Sequence, residues 1–263
     1  MVACVDHEDG RHLAETLCVL EEVNGWTRRT AADASRLRPA PESQLGEDDT
    51  LASPYQLSHA SWRSLSTSVD HLACLKVMLA DAKVIHMYAP FTLLRAALEN
   101  ACTAVWLLEP TSRAERLSRH LRKVIGDIHN EEQVRKLAGQ RGPRSEAERI
   151  EAVRAIARGA GLDEVALKTR PSYSEIVRIV SELVPANGII EAMWRLCSGY
   201  AHGDQWPTLS ASYRTEIPSA APEGVGTFRI EANLGLLAKV TTTAVKVTGW
   251  GWQFHDQGCL ARG

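Results

Sequence analysis

The sequence predicts a mainly α protein, a multi-helix bundle with one short β-hairpin near residues 209–231. Three observations carry that expectation. From residue 55 onward, apolar side chains recur at intervals of three and four over most of the chain. The stretch Pro90–Pro110 is apolar almost all round, as a helix enclosed by other helices must be. Only between residues 209 and 231 does the pattern change to alternation, in two short runs separated by turn-forming Pro, Ser and Gly residues.

Residues 10–23 fit a short amphipathic helix, with Leu13, Leu17 and Leu20 on one stripe. The next stretch, Arg36–Pro54, holds Pro39, Pro41, Gly46 and Pro54 and the acidic run Glu47–Asp49, a composition that predicts a linker or surface loop. Eleven acidic against five basic side chains in the first 50 residues give a local balance of −6. Residues 1–54 therefore read as a helix and an acidic linker forming a solvated arm, and residues 55–263 as the helical domain.

Within that domain, Leu57, Leu65, Val69, Leu72 and Leu79 mark a helix through residue 82. Pro90 suits the first turn of the apolar helix. Arg95 and Glu99 lie four apart on it, and charges on a buried helix must be paired or used. They form an internal ion pair or back a site on another helix, and the two roles are compatible. Residues 112–138 and 144–160 read as long charged helices separated by Gly142-Pro143. Residues 111–160 carry twelve basic and seven acidic side chains, and Arg113, Arg116, Arg119 and Lys123 recur at helical spacing. That stripe is either a solvated face or an electrostatic footprint for RNA or another anion. Ser172 with Glu175 fits a capping box opening a helix at 172–184. A last helix spans Asn233–Trp250, with Leu236, Leu237, Val240, Ala244 and Val247 inward, and the tail from His255 reads as frayed.

Several classes are disfavoured. The formal net charge of −2 gives no global basic footprint. The six cysteines form no C-x-x-C or zinc-like spacing, which points to a reducing, cytoplasmic setting. The acidic N-terminus holds no apolar segment of signal length, and no run of ~18 apolar residues predicts a membrane span. A Gly-rich phosphate loop, G-x-S-x-G, H-E-x-x-H and paired Glu-x-x-His motifs are all missing, so no metal or cofactor is expected.

Chemistry concentrates in Glu191–Trp206, EAMWRLCSGYAHGDQW. Arg195 and His202 are seven residues apart, so on a helix they lie about 20° out of register. Glu191 and Ser198 fall within about 60° of the same line. Gly203 follows, suited to a left-handed helix end.

This stretch resembles the HEPN superfamily, small helical bundles found in bacterial toxins, defence systems and RNA-processing enzymes. The family mark is Arg-x4–6-His near a helix end, here Arg195-LCSGYA-His202. The pairing of Arg-x3-Glu (Arg95, Glu99) with Ser-x3-His (Ser198, His202) is similar to an uncharacterised bacterial branch related to it. The resemblance covers residues 55–252, with specific matches in two helices. It implies a metal-independent endoribonuclease, often built at a homodimer interface, with RNA or a nucleotide as ligand and an antitoxin-like protein as cognate partner. On that basis Arg195, Ser198 and His202 are the catalytic candidates. His202 would move the proton of a ribose 2′-hydroxyl or of the leaving oxygen, Arg195 would hold the phosphate, and Ser198 would orient either group. Arg95, Glu99, Glu191, Tyr200 and Asp204 are the binding or supporting candidates. The chain departs from the pattern at Leu196, where active members usually carry a polar residue. Many members are inactive binding modules. RNA cleavage, binding of a nucleotide or small anion, a purely structural Arg195/His202 centre, and a partner protein engaged by the acidic arm all stay open.

Overall fold

The computed structural model describes residues 7–31, 38–167, 171–183, 188–218 and 225–261. In chain order the helices are α1 (His7–Leu20), α2 (Glu22–Ala31), α3 (Gln44–Ala52), α4 (Leu57–Lys76), α5 (Ala89–Leu108), α6 (Arg113–Leu137), α7 (Glu146–Gly159), α8 (Tyr173–Glu182), α9 (Ile189–His202), α10 (Gln205–Ala211) and α11 (Leu234–Cys259). A π-helical turn, Val77–Asp81, extends α4, and a 3-10 turn, Glu164–Leu167, follows α7. Strands β1 (Tyr213–Ile217) and β2 (Thr227–Glu231) pair antiparallel, Thr215 opposite Arg229. The fold is mainly α with a short hairpin, as the periodicity predicts. α5 is long and apolar enough to cross a membrane by length and composition, but 67% of that window is buried within the structure, as in a core helix.

Two compact units divide the chain. Unit 1 comprises Met1–Ala32, Ser66–Ala101 and Ser181–Gly249, and unit 2 comprises Asp33–Leu65, Cys102–Val180 and Trp250–Gly263.

Unit 1 buries Leu20, Val23, Leu72, Leu75, Leu94, Leu98, Leu237 and Val240. Small hydroxyl side chains let its helices approach closely. Ser68 donates to the Ala97 carbonyl at 3.0 Å and meets Thr248 Oγ1 at 2.9 Å. Lys76 Nζ reaches Glu21 Oε1 at 2.8 Å and Asn24 Oδ1 at 2.9 Å. The first helices are thus packed into unit 1, where the sequence predicts a solvated arm. The leucine stripe legible at Leu13, Leu17 and Leu20 is the face that packs, and it ends in the buried Leu20 and Val23.

Unit 2 corrects the linker expectation as well. Ser43 caps α3 by accepting the Gly46 N–H at 3.1 Å. Leu45 and Asp48 are fully buried. Asp48 receives the Arg116 guanidinium in a two-point contact, Nε to Oδ2 at 2.7 Å and the second nitrogen to Oδ1 at 3.1 Å. Asp49 accepts the backbone N–H of Ser58 at 2.9 Å and so caps α4, and burial raises its pKa. Leu121, Ile128, Val153, Ala157 and Leu167 form an apolar cluster where α6, α7 and the 3-10 turn meet.

The tail expectation is corrected too. α11 runs on to Cys259, His255 is buried against Ser61 Oγ at 3.1 Å, and Trp252 packs edge-on against Trp62 at 5.1 Å. Residues 209–211, predicted as the start of a strand, belong to α10. Pro207 supplies a preset first-turn conformation there.

Candidate functional site

Four-and-three spacing orients α9. Ile190, Trp194, Cys197 and Tyr200 are buried on one side. Arg195 and His202 are exposed on the other, with Glu191 and Ser198 half-buried between. Gly203, at φ 72°, ends the helix: its N–H bonds to the Tyr200 carbonyl at 3.2 Å, and that of Asp204 to Gly199 at 2.9 Å. This Schellman closure satisfies carbonyls that the helix end would otherwise leave open, and it fixes His202 on the last turn. Gly199 lets α10 approach closely: a Cβ there would lie 3.0 Å from side-chain atoms of both Pro207 and Trp206, which would have to give by a few tenths of an ångström.

Side chains of α5 and α9 form one polar chain within unit 1. Arg195 bonds Glu191 Oε1 twice, at 2.9 and 2.7 Å, and its guanidinium lies 5.9 Å from the centre of the Trp194 ring. Trp194 Nε1 donates to Glu99 Oε1 at 2.9 Å. The same oxygen accepts Arg95 Nε at 2.9 Å. Arg95 Nη1 then reaches His202 Nε2 at 3.1 Å. Arginine offers only donors, so His202 Nε2 must be the acceptor, and the neutral ring carries its proton on Nδ1. Arg195 and His202, about 10 Å apart along the axis of α9, are therefore linked through α5 rather than directly.

The structure sorts the candidates. Arg95, Glu99 and His202 come together, and the predicted Arg95/Glu99 ion pair is present with both side chains mostly buried. Arg195 is 62% exposed and paired with Glu191. Ser198 and the Asp204 carboxylate have no hydrogen-bond partner among the described residues. Tyr200, named as a binding candidate, is a packing residue: it stacks on Phe91 at 4.3 Å, and its hydroxyl meets Ser212 Oγ at 2.9 Å and the Pro207 carbonyl at 3.2 Å. Burial pushes its phenol up, and it pushes the Cys197 thiol up much further, which leaves no thiolate nucleophile on this helix. Leu196 is buried. Trp194 is the member of this polar chain that sequence reasoning passed over. The available signal was its indole N–H, which needs a partner once buried.

Compared with family models, curated proteins and solved structures, the chain matches none of them.

The side chains themselves offer a fixed cation, an imidazole with an engaged lone pair, and a second exposed cation two turns back on α9. The basic stripe of α6 adds nothing to this, because its charges are already spent within unit 2. Arg113 pairs with Glu47, Arg116 is buried on Asp48, Arg119 pairs with Glu115 at 2.7 Å, and Lys123 faces Asp127 at 3.4 Å. Lys123 and Asp127 also line a small pocket of unit 2 with Thr103, Asn130 and Tyr173. Among the described residues no three His, Cys, Asp or Glu side chains gather as metal ligands.

Proposed function

We propose that the Arg95–His202 pair receives a phosphate group of RNA and that the chain cleaves RNA without a metal ion, in the manner of the HEPN superfamily it resembles. The observation that supports this reading is the 3.1 Å contact between Arg95 and His202 Nε2 at the exposed end of α9. A phosphate competes for the guanidinium through charge-assisted hydrogen bonds. Drawing Arg95 onto the phosphate releases the Nε2 lone pair. The freed nitrogen takes the proton of the ribose 2′-hydroxyl as the 2′ oxygen attacks phosphorus. The bond from phosphorus to the 5′ oxygen breaks, the leaving oxygen takes its proton from water, and the hydroxide so formed takes the proton held by His202, which returns the ring to its neutral form. The products are a 2′,3′-cyclic phosphate and a 5′-hydroxyl. Glu99 and Trp194 hold Arg95 in place, and Arg195 meets a neighbouring phosphate of the strand. The reading extends to cytoplasmic action, to a toxin or defence role, and to an antitoxin-like protein as inhibitor.

Labelled RNA incubated with the purified protein in chelator tests this. Fragments ending in cyclic phosphate are expected, and they should disappear with His202→Ala and with Arg95→Ala. Intact RNA of varied sequence, with and without divalent ions, would rule out catalysis.

A second reading, a non-catalytic module for a nucleotide or small anion, is favoured by the neutralised Arg195 and the buried Leu196. It predicts thermal stabilisation by nucleotides that Arg95→Ala removes. A flat response across a nucleotide panel contradicts it.

A further inference from the structure

The β-hairpin of unit 1 is unusually uncovered. Every residue of β1 is exposed, and β2 is exposed beyond its first residue. Tyr213, Ile217, Val225, Phe228 and Ile230 each present more than a third of their surface to solvent. A two-stranded ribbon is marginal in water without a third strand or a packed face. Among the described residues no further strand pairs with either one. Strand β1 is an open edge: Tyr-Arg-Thr-Glu-Ile contains no Pro, Gly or Lys, its register with β2 is unbroken, and its two charges, Arg214 and Glu216, are opposite in sign.

The sequence of β1 is complementary to itself. Set antiparallel to a second copy about a two-fold axis through Thr215, Tyr213 faces Ile217, Arg214 faces Glu216 and Thr215 faces Thr215. Strand β2 lacks this property, because the same operation on Thr-Phe-Arg-Ile-Glu sets Arg229 against Arg229. Within the hairpin Arg214 and Glu216 stand opposite Ile230 and Phe228, so neither meets an opposite charge across the ladder. Neither has an ion-pair partner elsewhere among the described residues. A second copy supplies both.

We propose that two copies of the chain pair through their β1 edges, antiparallel and centred on Thr215, to form a continuous four-stranded sheet with β2 at each outer edge. Each Arg214 then lies opposite the partner's Glu216, and each Tyr213 opposite the partner's Ile217. The pairing stands on the hairpin alone and does not depend on what the Arg95–His202 pair does.

Light scattering after size exclusion, together with non-reducing electrophoresis, tests it on the full chain. The wild type should dimerise reversibly. Thr215→Cys should give a covalent dimer on mild oxidation, because residues facing one another across an antiparallel pair lie within disulfide reach. The wild type, which has Cys18 and Cys74 exposed, is the control for other linkages. Arg214→Glu or Glu216→Arg alone should weaken dimerisation roughly tenfold, since two symmetric pairs change sign, and the double exchange should restore it. Unchanged helical circular dichroism shows that each variant folds. A monomer at every concentration overturns the proposal. So does a dimer that ignores both charge reversals and fails to link through position 215.

Discussion

Arg116→Met is expected to be among the most damaging single changes in unit 2. Arg116 and Asp48 are 1% and 0% exposed. The guanidinium makes four hydrogen bonds: two to the Asp48 carboxylate, and one each to the Pro110 and Thr111 carbonyls at 2.9 Å. Removing it strands a buried carboxylate and two carbonyls. Breaking a buried ion pair from one side costs about 3–5 kcal/mol. Arg113 Nε lies 3.4 Å from Asp48 Oδ1 and offsets part of the loss, so the lower end, about 3 kcal/mol, is expected. Asp48→Leu should cost a similar amount by stranding the guanidinium. The double variant should cost clearly less than the sum, with a coupling of about 2 kcal/mol. Urea unfolding reads this as a midpoint lowered by about 1 M or more at unchanged slope. A cost below about 1 kcal/mol for Arg116→Met would refute the reasoning. It would mean that the acidic run Glu47–Asp49 is the surface loop its composition suggests.

Three further outcomes are expected. His120 is buried with Nε2 donating to the Tyr55 carbonyl at 2.8 Å, and burial pushes its pKa down to about 4 from an ordinary 6.5. The unfolded chain thus binds this proton before the folded one does, so stability falls as pH drops from 6.5 through 4, by roughly 3 kcal/mol at the limit. The stability gap between the wild type and His120→Asn should narrow over that range, and a gap independent of pH contradicts the neutral buried ring. Gly203→Ala forces an L side chain to φ 72° and should cost about 1 kcal/mol, read as a lowered melting temperature; an unchanged melting temperature contradicts the closure. Trp194→Phe removes the hydrogen bond to Glu99 and should cost about 1 kcal/mol. It should also weaken anion binding by freeing Arg95, and anion affinity equal to the wild type would show that Glu99 alone positions that side chain.

Local chemistry made much of the fold legible. Gly203 ends α9 where its residue type predicts, and Ser172 accepts the Glu175 N–H at the start of α8. Uniform apolarity identified α5. What escaped notice was set by distant partners. Asp48 meets an arginine 68 residues away, so neither the docking of α3 nor the burial of Arg116 shows in a local window. The basic stripe of α6 read as a solvated face or an anion footprint because the carboxylates that pair with Arg113 and Arg116 lie on α3. The tail looked polar because His255 finds Ser61 across 194 residues. In the site the same division holds. Arg95 and Glu99, four apart on one helix, could be paired from the sequence, whereas the contact between Arg95 and His202 spans 107 residues. Helical spacing placed Arg195 and His202 on one face correctly, yet each found a nearer partner on another turn or another helix.

Whether Arg95, rather than Arg195, works with His202 is decided by binding of an uncleavable 2′-O-methyl RNA to single variants. Fluorescence anisotropy should show Arg95→Ala weakening binding about tenfold to a hundredfold, as expected for a lost charge-assisted hydrogen bond. Arg195→Ala, whose guanidinium is already held by Glu191, should weaken it less. Loss of binding with Arg195→Ala, beside an unaffected Arg95→Ala, would contradict the assignment and return the site to the Arg195–His202 pair.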